Sequence, residues 1–120
     1  MPRSEASRRR AEGRGQRAER LAAWWLRAKG YRILARQVRT PVGEIDLVVR
    51  RGGVLAFVEV KRRATLAEAA EAITPYQRHR ISRAAEAFLQ THRSLQGLDL
   101  RFDALLLAPG RLPRHILSAW

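Results

Sequence analysis

With 120 residues, the chain is long enough for one domain with a buried core and too short for two. It carries 24 Lys and Arg residues against 11 Asp and Glu residues, and the formal charge of +13 favours polyanionic partners, nucleic acid before membranes. The lack of cysteine excludes disulfides, zinc–thiolate sites and thiol catalysis, and permits a reducing cytoplasm. No apolar run approaches the ~18 residues of a membrane helix, and the N-terminus lacks the apolar core of a signal peptide. We therefore expect a cytoplasmic protein without a membrane partner.

The N-terminal region divides into a tail and a helix. Residues 1–16 consist largely of Arg, Ser, Glu and Gly with almost nothing to bury, so they are predicted to form a disordered basic tail ahead of a domain over residues 17–120. Residues 17–29 are predicted to be helical because apolar side chains recur at helical spacing and Gly30 follows. Trp25 fits the apolar stripe of this helix, whereas Trp24 is predicted to lie at its edge.

Glu19 is an acidic residue beside the apolar stripe of that helix. Its neighbours three, four and seven positions further on are apolar, so its carboxylate is predicted to border the buried side. The alternative is a surface side chain that pairs with Arg20 or Arg27, since such pairs are common and weak.

Two strands joined by a glycine turn form the centre of the pattern. Residues 44–50 and 54–61 alternate, and the Gly-Gly pair between them is a hairpin signal. On the first strand one face is predicted to carry Ile45, Leu47 and Val49.

The same hairpin carries acidic and basic side chains of the kind found in metal-dependent active sites. Asp46 lies on the other face of the first strand, and Glu59 and Lys61 share one face of the second because side chains alternate. Pairing the strands would bring the two carboxylates and the ammonium together, a set that can hold a divalent metal against a phosphate. Lys61 is also one of only two lysines in an Arg-rich chain, and Lys is the residue whose pKa moves readily. The alternative is a solvated strand face with weakly attracting charges.

The remaining elements follow from local signals. A strand is predicted over residues 31–39 before the hairpin, and a long connection with a short helix around residues 66–72 follows it. Thr74 is an N-cap, Pro75 suits the first turn and Gln77 holds a capping-box position, so a helix is predicted from there to about residue 92. Further strands are predicted over residues 98–107 and 115–120.

The order of these elements predicts an α/β fold. The first three strands are predicted to form an antiparallel meander. A strand, a helical crossover and another strand imply a parallel pair. The central sheet is therefore predicted to be mixed and flanked by helices.

The chain resembles the YraN family of small bacterial proteins, which is grouped with archaeal Holliday-junction resolvases in the PD-(D/E)xK nuclease superfamily. The resemblance covers most of residues 15–105, and the order αβββαβ of that restriction-endonuclease-like core is the order read above. The stretches that carry it are Gly15-Gln16-Arg17-Ala18-Glu19, residues 30–36, Gly43-Glu44-Ile45-Asp46-Leu47-Val48, Phe57-Val58-Glu59-Val60-Lys61-Arg62-Arg63 and Arg101-Phe102-Asp103.

The resemblance implies roles for individual residues. Asp46 and Glu59 would be metal ligands, Lys61 the catalytic lysine, and Glu19 the acid of the first helix that completes or water-bridges the site. The chain departs from the family pattern in two places. Family members often have Lys where Gln77 stands and Asn where Gln37 stands. The capping box explains the presence of Gln77 equally well.

These features lead to two hypotheses. The first is an endonuclease dependent on Mg²⁺ or Mn²⁺ that processes DNA, including branched or single-stranded forms. The alternative is a non-catalytic nucleic-acid-binding module that retains the nuclease fold. The residues expected to bind nucleic acid are Arg62, Arg63, Gln77, Arg78 and Arg80.

A metal-free acid–base nuclease would need paired histidines. His79, His92 and His115 are widely spaced, and all three are predicted to be surface residues. Analogy with the resolvases alone implies a homodimer.

Overall fold

A computed structural model describes the backbone of residues 5–120 and the side chains of residues 15–120. Its elements are α1 (Glu5–Ala28), β1 (Arg32–Thr40), β2 (Gly43–Arg51), β3 (Val54–Arg62), α2 (Leu66–Glu71), α3 (Pro75–Thr91), β4 (Asp99–Leu107) and β5 (Arg114–Ile116), with a 3-10 turn at Arg93–Leu95. The predicted α/β class is confirmed, and the order is consistent with a restriction-endonuclease-like αβββαβ core. None of the helices in the described part of the chain is long and apolar enough to cross a membrane.

Helix α1 begins earlier than the sequence indicated. It starts at Glu5 rather than at the predicted residue 17, so it includes most of the stretch expected to be a disordered tail. Arg, Ala and Glu are good helix formers, and their propensity extends the helix where there is little to bury. Residues 1–4 of the predicted tail lie outside the described residues, and the domain boundary at residue 17 stays a prediction.

The five strands form one mixed sheet in the order β1-β2-β3-β4-β5. Strands β1, β2 and β3 pair antiparallel, and β3 pairs parallel with β4, as predicted from the helical crossover between them. Strand β3 is therefore central. The final strand is shorter than the predicted span over residues 115–120, because only Arg114–Ile116 pairs with β4.

Helices cover both faces of the sheet. Helix α1 packs on the face that carries these buried side chains: Leu47, Val49, Ala56, Val58, Val60, Leu105 and Leu107. Helix α3 packs on the opposite face, which carries Ile45, Val48, Leu55 and Phe57. Helix α2 packs beside it on Ala104 and Leu106. Trp25 is partly buried and packs against the core, which confirms its predicted place in the apolar stripe, and Trp24, predicted at the edge of that stripe, is 65% exposed.

Strand β2 does not alternate along its whole length. Ile45 packs with Val48 on the α3 side, so the prediction that Ile45, Leu47 and Val49 share one face is wrong for Ile45. The break falls at Asp46, which the register would place opposite Gln37, yet these two residues form no ladder pair. Gln37 has a φ of 48°, a left-handed conformation that interrupts regular pairing.

The N-terminus of α3 is capped and packs closely on β2. The Thr74 hydroxyl accepts a hydrogen bond from the Gln77 N–H at 3.2 Å, which confirms the predicted N-cap. The reciprocal half of the capping box is not formed, because Gln77 Oε1 is buried without a hydrogen-bond partner among the described residues. Gly43 lies against the backbone of Arg80, where a Cβ would come within 2.7 Å of the carbonyl oxygen.

A buried polar network joins β4 and β5 to the end of α1. The Asp103 carboxylate, which is fully buried, accepts hydrogen bonds from His115 Nε2 at 2.8 Å and from the Arg101 guanidinium at 2.8 Å. His115 Nδ1 in turn accepts a hydrogen bond from Lys29 Nζ. Only 2% of the His115 side chain is exposed, so the prediction that all three histidines lie on the surface is wrong for this one. His79 and His92 are exposed as predicted.

Candidate active site

Asp46 lies at the point where β2 separates from β3. The last ladder pair between these strands joins Leu47 to Val58. One residue further on, Asp46 Oδ2 accepts a hydrogen bond from the Val60 backbone N–H at 2.8 Å. The carboxylate thus satisfies a donor that the strand ladder no longer reaches, and this bond holds the Asp46 side chain against the end of β3.

Asp46, Glu59 and Lys61 converge at this end of the central strand. The carboxyls of Asp46 and Glu59 lie within hydrogen-bonding range of each other. Lys61 Nζ lies 3.3 Å from Glu59 Oε1, and Glu59 is only 8% exposed. The structure therefore brings together the two carboxylates and the ammonium that the hairpin pattern predicted.

The two carboxyls do not both carry a full negative charge at neutral pH. Burial, and then the neighbouring Asp46 carboxyl, raise the pKa of Glu59 to about 8, although the Lys61 ammonium lowers it. Burial also raises the pKa of Asp46, against the opposing effect of the hydrogen bond from Val60. The raised pKa favours the protonated form of Glu59 at neutral pH, and a bound dication would replace that proton.

Glu19 of α1 lies close to this pair. Its Oε2 accepts a hydrogen bond from the side-chain amide of Gln37. Burial raises the pKa of Glu19, the bond from Gln37 lowers it, and the charge of Asp46 raises it again. The predicted position of Glu19 at the border of the buried side is confirmed, and its partner is Gln37 rather than Arg20 or Arg27.

A cavity of about 700 Å³ opens beside this cluster, and Glu59 is not among the residues that line it. Glu19, Asp46 and Lys61 line it, together with Gln37 and the backbone region of Val60. Its other lining residues are Gly15, Ala18, Arg62, Arg63, Ala64 and Pro109. The cavity is lined by both acidic and basic side chains, and we call it the acidic cavity after Glu19 and Asp46.

The predicted nucleic-acid-binding residues separate into two groups. Arg62 and Arg63 line the acidic cavity, whereas Gln77, Arg78 and Arg80 do not. The Arg78 guanidinium lies over the Trp120 ring, and Arg80 donates a hydrogen bond to the Tyr76 hydroxyl at 3.1 Å. The structure thus places a basic pair beside the carboxylates and leaves the α3 residues outside the cavity.

The donor set suits a hard dication bound through few protein ligands. Among residues 15–120, no three Asp, Glu, His or Cys side chains form a group that could enclose a metal ion by themselves. Mg²⁺ ordinarily takes one or two carboxylates and completes its coordination with water and substrate phosphate. Asp46 and Glu59 match that requirement, and Asp46 is near enough to Glu19 to raise the pKa of the Glu19 carboxyl.

Sequence reasoning did not include Gln37 or the Val60 N–H in the site. Gln37 carried one signal, since the resemblance of the motifs led to the expectation of Asn at this position, and Asn tolerates the left-handed conformation. The Val60 N–H carried none, because a side-chain acceptor for a backbone donor fourteen residues away follows only from the folded pairing.

Comparisons with known proteins agree with the motifs. A model of the family described as "Uncharacterised protein family UPF0102" matches residues 18–107, a range that contains Glu19, Asp46, Glu59 and Lys61. The chain is 56% identical over 114 residues to UPF0102 protein amb4503 of Paramagnetospirillum magneticum, which covers 92% of this chain and 88% of the relative. It is 58% identical over 106 residues to a UPF0102 protein of Rhodopseudomonas palustris strain BisA53, covering 88% and 82%. A third relative, UPF0102 protein Mmar10_3014 of Maricaulis maris, is 55% identical over 114 residues, covering 95% and 90%.

Proposed function

The chain belongs to family UPF0102, and from the cluster at the end of its central strand we propose that it is a metal-dependent endonuclease that hydrolyses DNA phosphodiester bonds. The family agrees with the YraN resemblance of the motifs, and membership of the wider nuclease superfamily is part of the proposal. The observation that carries it is the convergence of Asp46, Glu59 and Lys61 beside a cavity that also holds two arginines.

Asp46 and Glu59 would hold the metal. Their carboxyls lie close together, and burial raises the pKa of both, so a cation that compensates their negative charge would be favoured between them. When bound, Mg²⁺ or Mn²⁺ would supply a more acidic water molecule and neutralise negative charge on the phosphate.

The residues of the chain would position the substrate around that centre. Lys61, held by Glu59, would place its ammonium beside the reacting phosphate and stabilise the charge that develops there. Glu19, oriented by Gln37, would accept a hydrogen bond from a water molecule in the acidic cavity. Arg62 and Arg63 would bind the phosphate backbone next to the reacting position.

The test is a cleavage assay with matched variants. Purified protein is incubated with duplex, single-stranded and four-way DNA in the presence of Mg²⁺, Mn²⁺ or a chelator. We expect cleavage that the chelator abolishes, and a loss of roughly 10²–10³-fold in rate for Glu59→Gln and Lys61→Ala. Glu86→Gln, a change of an exposed carboxylate on α3, is the control and should cleave at the wild-type rate. Unchanged cleavage in both site variants would exclude the assigned centre.

A second function is favoured by one observation. The acidic residues in the described part of the chain form no group of three, and one oxygen of Asp46 is already bonded to a backbone N–H. A module that binds nucleic acid without cleaving it would keep this arrangement and use its positive charge alone. It would bind DNA with an affinity that falls steeply with salt and does not change when EDTA is added.

A further inference from the structure

A second cavity adjoins the acidic cavity next to the segment that follows Arg63. It has a volume of about 500 Å³, and Ala64 and Pro109 line both cavities. Arg111 and Arg114 line the second cavity and not the acidic cavity, and we call the second one the arginine cavity. Neither arginine has been given a role in the proposed reaction.

The sheet topology explains why the two cavities meet. Strands β3 and β4 are parallel, and their final residues Arg62 and Leu107 pair directly. The Arg63 N–H then donates to the Leu107 carbonyl at 3.1 Å, so the segments that leave the two strands begin side by side. Ligand sites in α/β sheets form at the carboxyl ends of parallel strands for this reason, since the connecting loops converge there.

Local backbone structure fixes the positions from which the Arg111 and Arg114 side chains extend. The chain turns after β4, with the Arg111 N–H donating to the Ala108 carbonyl at 3.2 Å and Gly110 at a φ of 71°. Strand β5 then returns antiparallel to β4, and Arg114 pairs with Leu106. The guanidinium groups therefore extend from a fixed turn and from a paired strand.

The arginine cavity has a single sign of charge. No acidic residue lines it, and neither Arg111 nor Arg114 forms an ion pair with another side chain that the structure describes. Both residues are exposed. Arg62 and Arg63 line the acidic cavity and directly precede Ala64, which lines both cavities, so arginines line the two adjoining cavities on either side of Ala64 in the chain.

We propose that the arginine cavity binds the phosphate backbone of the nucleic-acid strand whose reacting phosphate lies in the acidic cavity, on one side of that phosphate. A cleaved strand continues in both directions from the scissile bond, so a binding surface is needed beyond the reacting position. The guanidinium group is suited to it because its planar fork binds phosphate oxygens in pairs. This inference rests on the proposed function for the identity of the strand.

The test measures binding separately from cleavage. With a chelator present, the affinity of the full chain for fluorescent single-stranded and duplex oligodeoxynucleotides is measured by anisotropy at several salt concentrations. Arg111→Glu/Arg114→Glu is compared with Arg32→Glu/Arg93→Glu, which changes the net charge equally. Arg32 starts β1, and Arg93 precedes β4, so the control pair lies at the end of the sheet away from the acidic cavity.

We expect the Arg111/Arg114 variant to lose affinity by about 10–100-fold more than the control variant. We also expect the slope of log K against log salt to fall by roughly 1.4–1.8, the amount for two lost phosphate contacts. The milder Arg111→Ala/Arg114→Ala variant should also lose DNA affinity and salt dependence, by smaller amounts. Circular dichroism and thermal melting establish that each variant is folded.

Equal losses in the two charge-matched variants would overturn the inference, as would wild-type protein that does not bind DNA. Competition with inorganic phosphate separates a strand from a single anion. If millimolar phosphate displaces the oligonucleotide completely, the cavity binds an isolated phosphate and the inference is wrong. If the Arg111/Arg114 variant loses more DNA affinity than the control variant, as expected, but neither the wild type nor any variant cleaves DNA, the proposed endonuclease is contradicted. The proposed binding site in the arginine cavity would still stand.

Discussion

Asp46 Oδ2 accepts a hydrogen bond from the Val60 backbone N–H at 2.8 Å, one residue beyond the last ladder pair between β2 and β3. This bond is part of the hydrogen bonding of the sheet and also fixes a carboxylate of the proposed active site. The same carboxyl that completes the hydrogen bonding of β3 also contacts Glu59, so the position of one ligand is set by the strand that carries the other.

The two roles of Asp46 can be separated by substitution. Asp46→Ala should lower the free energy of unfolding by about 1–3 kcal/mol, because it leaves the buried Val60 N–H without an acceptor. Asp46→Asn retains an oxygen acceptor and should lose less than half of that amount. Both should lose metal-dependent cleavage, since neither carries a carboxylate. Urea unfolding checks the stabilities, and equal losses in the two variants would show that the bond to Val60 does not stabilise the fold.

Glu59 should make the metal-free protein less stable as the pH rises. Its pKa is about 8 in the folded state against an ordinary value of 4.5, so the folded state binds more protons between these pH values and stability falls with increasing pH. Glu59→Gln removes this contribution. In the presence of a chelator, we expect the variant to gain about 1–3 kcal/mol relative to wild type between pH 5 and pH 8. A constant difference across this range would contradict the raised pKa.

Metal binding should show the opposite dependence on pH. A dication must displace the proton that the raised pKa of Glu59 favours, so Mg²⁺ or Mn²⁺ should raise the melting temperature of the wild-type protein more at pH 8 than at pH 5. Glu59→Gln should show little shift at either pH. Differential scanning calorimetry of both proteins, with and without metal, is the measurement. An equal shift in the variant would place the metal elsewhere.

Gly43 should be intolerant of a side chain because α3 lies against it. A Cβ at this position would come within 2.7 Å of the Arg80 carbonyl oxygen, and backbone cannot move aside as a flexible side chain can. Gly43→Ala should therefore cost about 1–3 kcal/mol of stability. Gly53→Ala is the matched control, because nothing lies within 4 Å of its Cβ position. Similar denaturation midpoints for the two variants would contradict the close approach.

Asp103 should stabilise the protein at neutral pH and lose that contribution in acid. Burial alone would raise its pKa, but hydrogen bonds from His115, Arg101 and the Ser118 N–H outweigh it and lower the pKa to about 2. A depressed folded pKa stabilises the protein above the ordinary value near 3.8 and is lost as the pH falls toward 2. The shift corresponds to about 2 kcal/mol.

Asp103→Asn should consequently lower stability by about 2–4 kcal/mol at pH 7, because it also leaves the Arg101 guanidinium without its anionic partner. The deficit should shrink as the pH is lowered from 4 to 2. Asp99→Asn, at the exposed start of β4, is the control and should differ from wild type by less than about 0.5 kcal/mol. Chemical denaturation at several pH values gives both curves.

Local patterns predicted the elements of the fold well. The helix start at Thr74, the Gly-Gly turn and the alternation along β3 depend on residues close in sequence, and each was found. The predictions failed where a residue distant in the chain determined the position of a side chain. Ile45 was assigned to the wrong face because Gln37, on another strand, takes a left-handed conformation opposite Asp46. The predicted surface position of His115 failed in the same way, since its partners Lys29 and Asp103 are distant in the chain.

The sequence by itself determined that Glu59 and Lys61 lie near the end of one strand of a hairpin and that Asp46 lies on the other strand. It could do so because period-two alternation and a glycine turn are short-range properties. Only the tertiary structure decided that Asp46 contacts Glu59, that Gln37 holds Glu19, and which arginines line the cavities. Those facts depend on where strands diverge and how a helix packs across them. Such contacts join residues far apart in the chain, and no pattern within a single segment contains them.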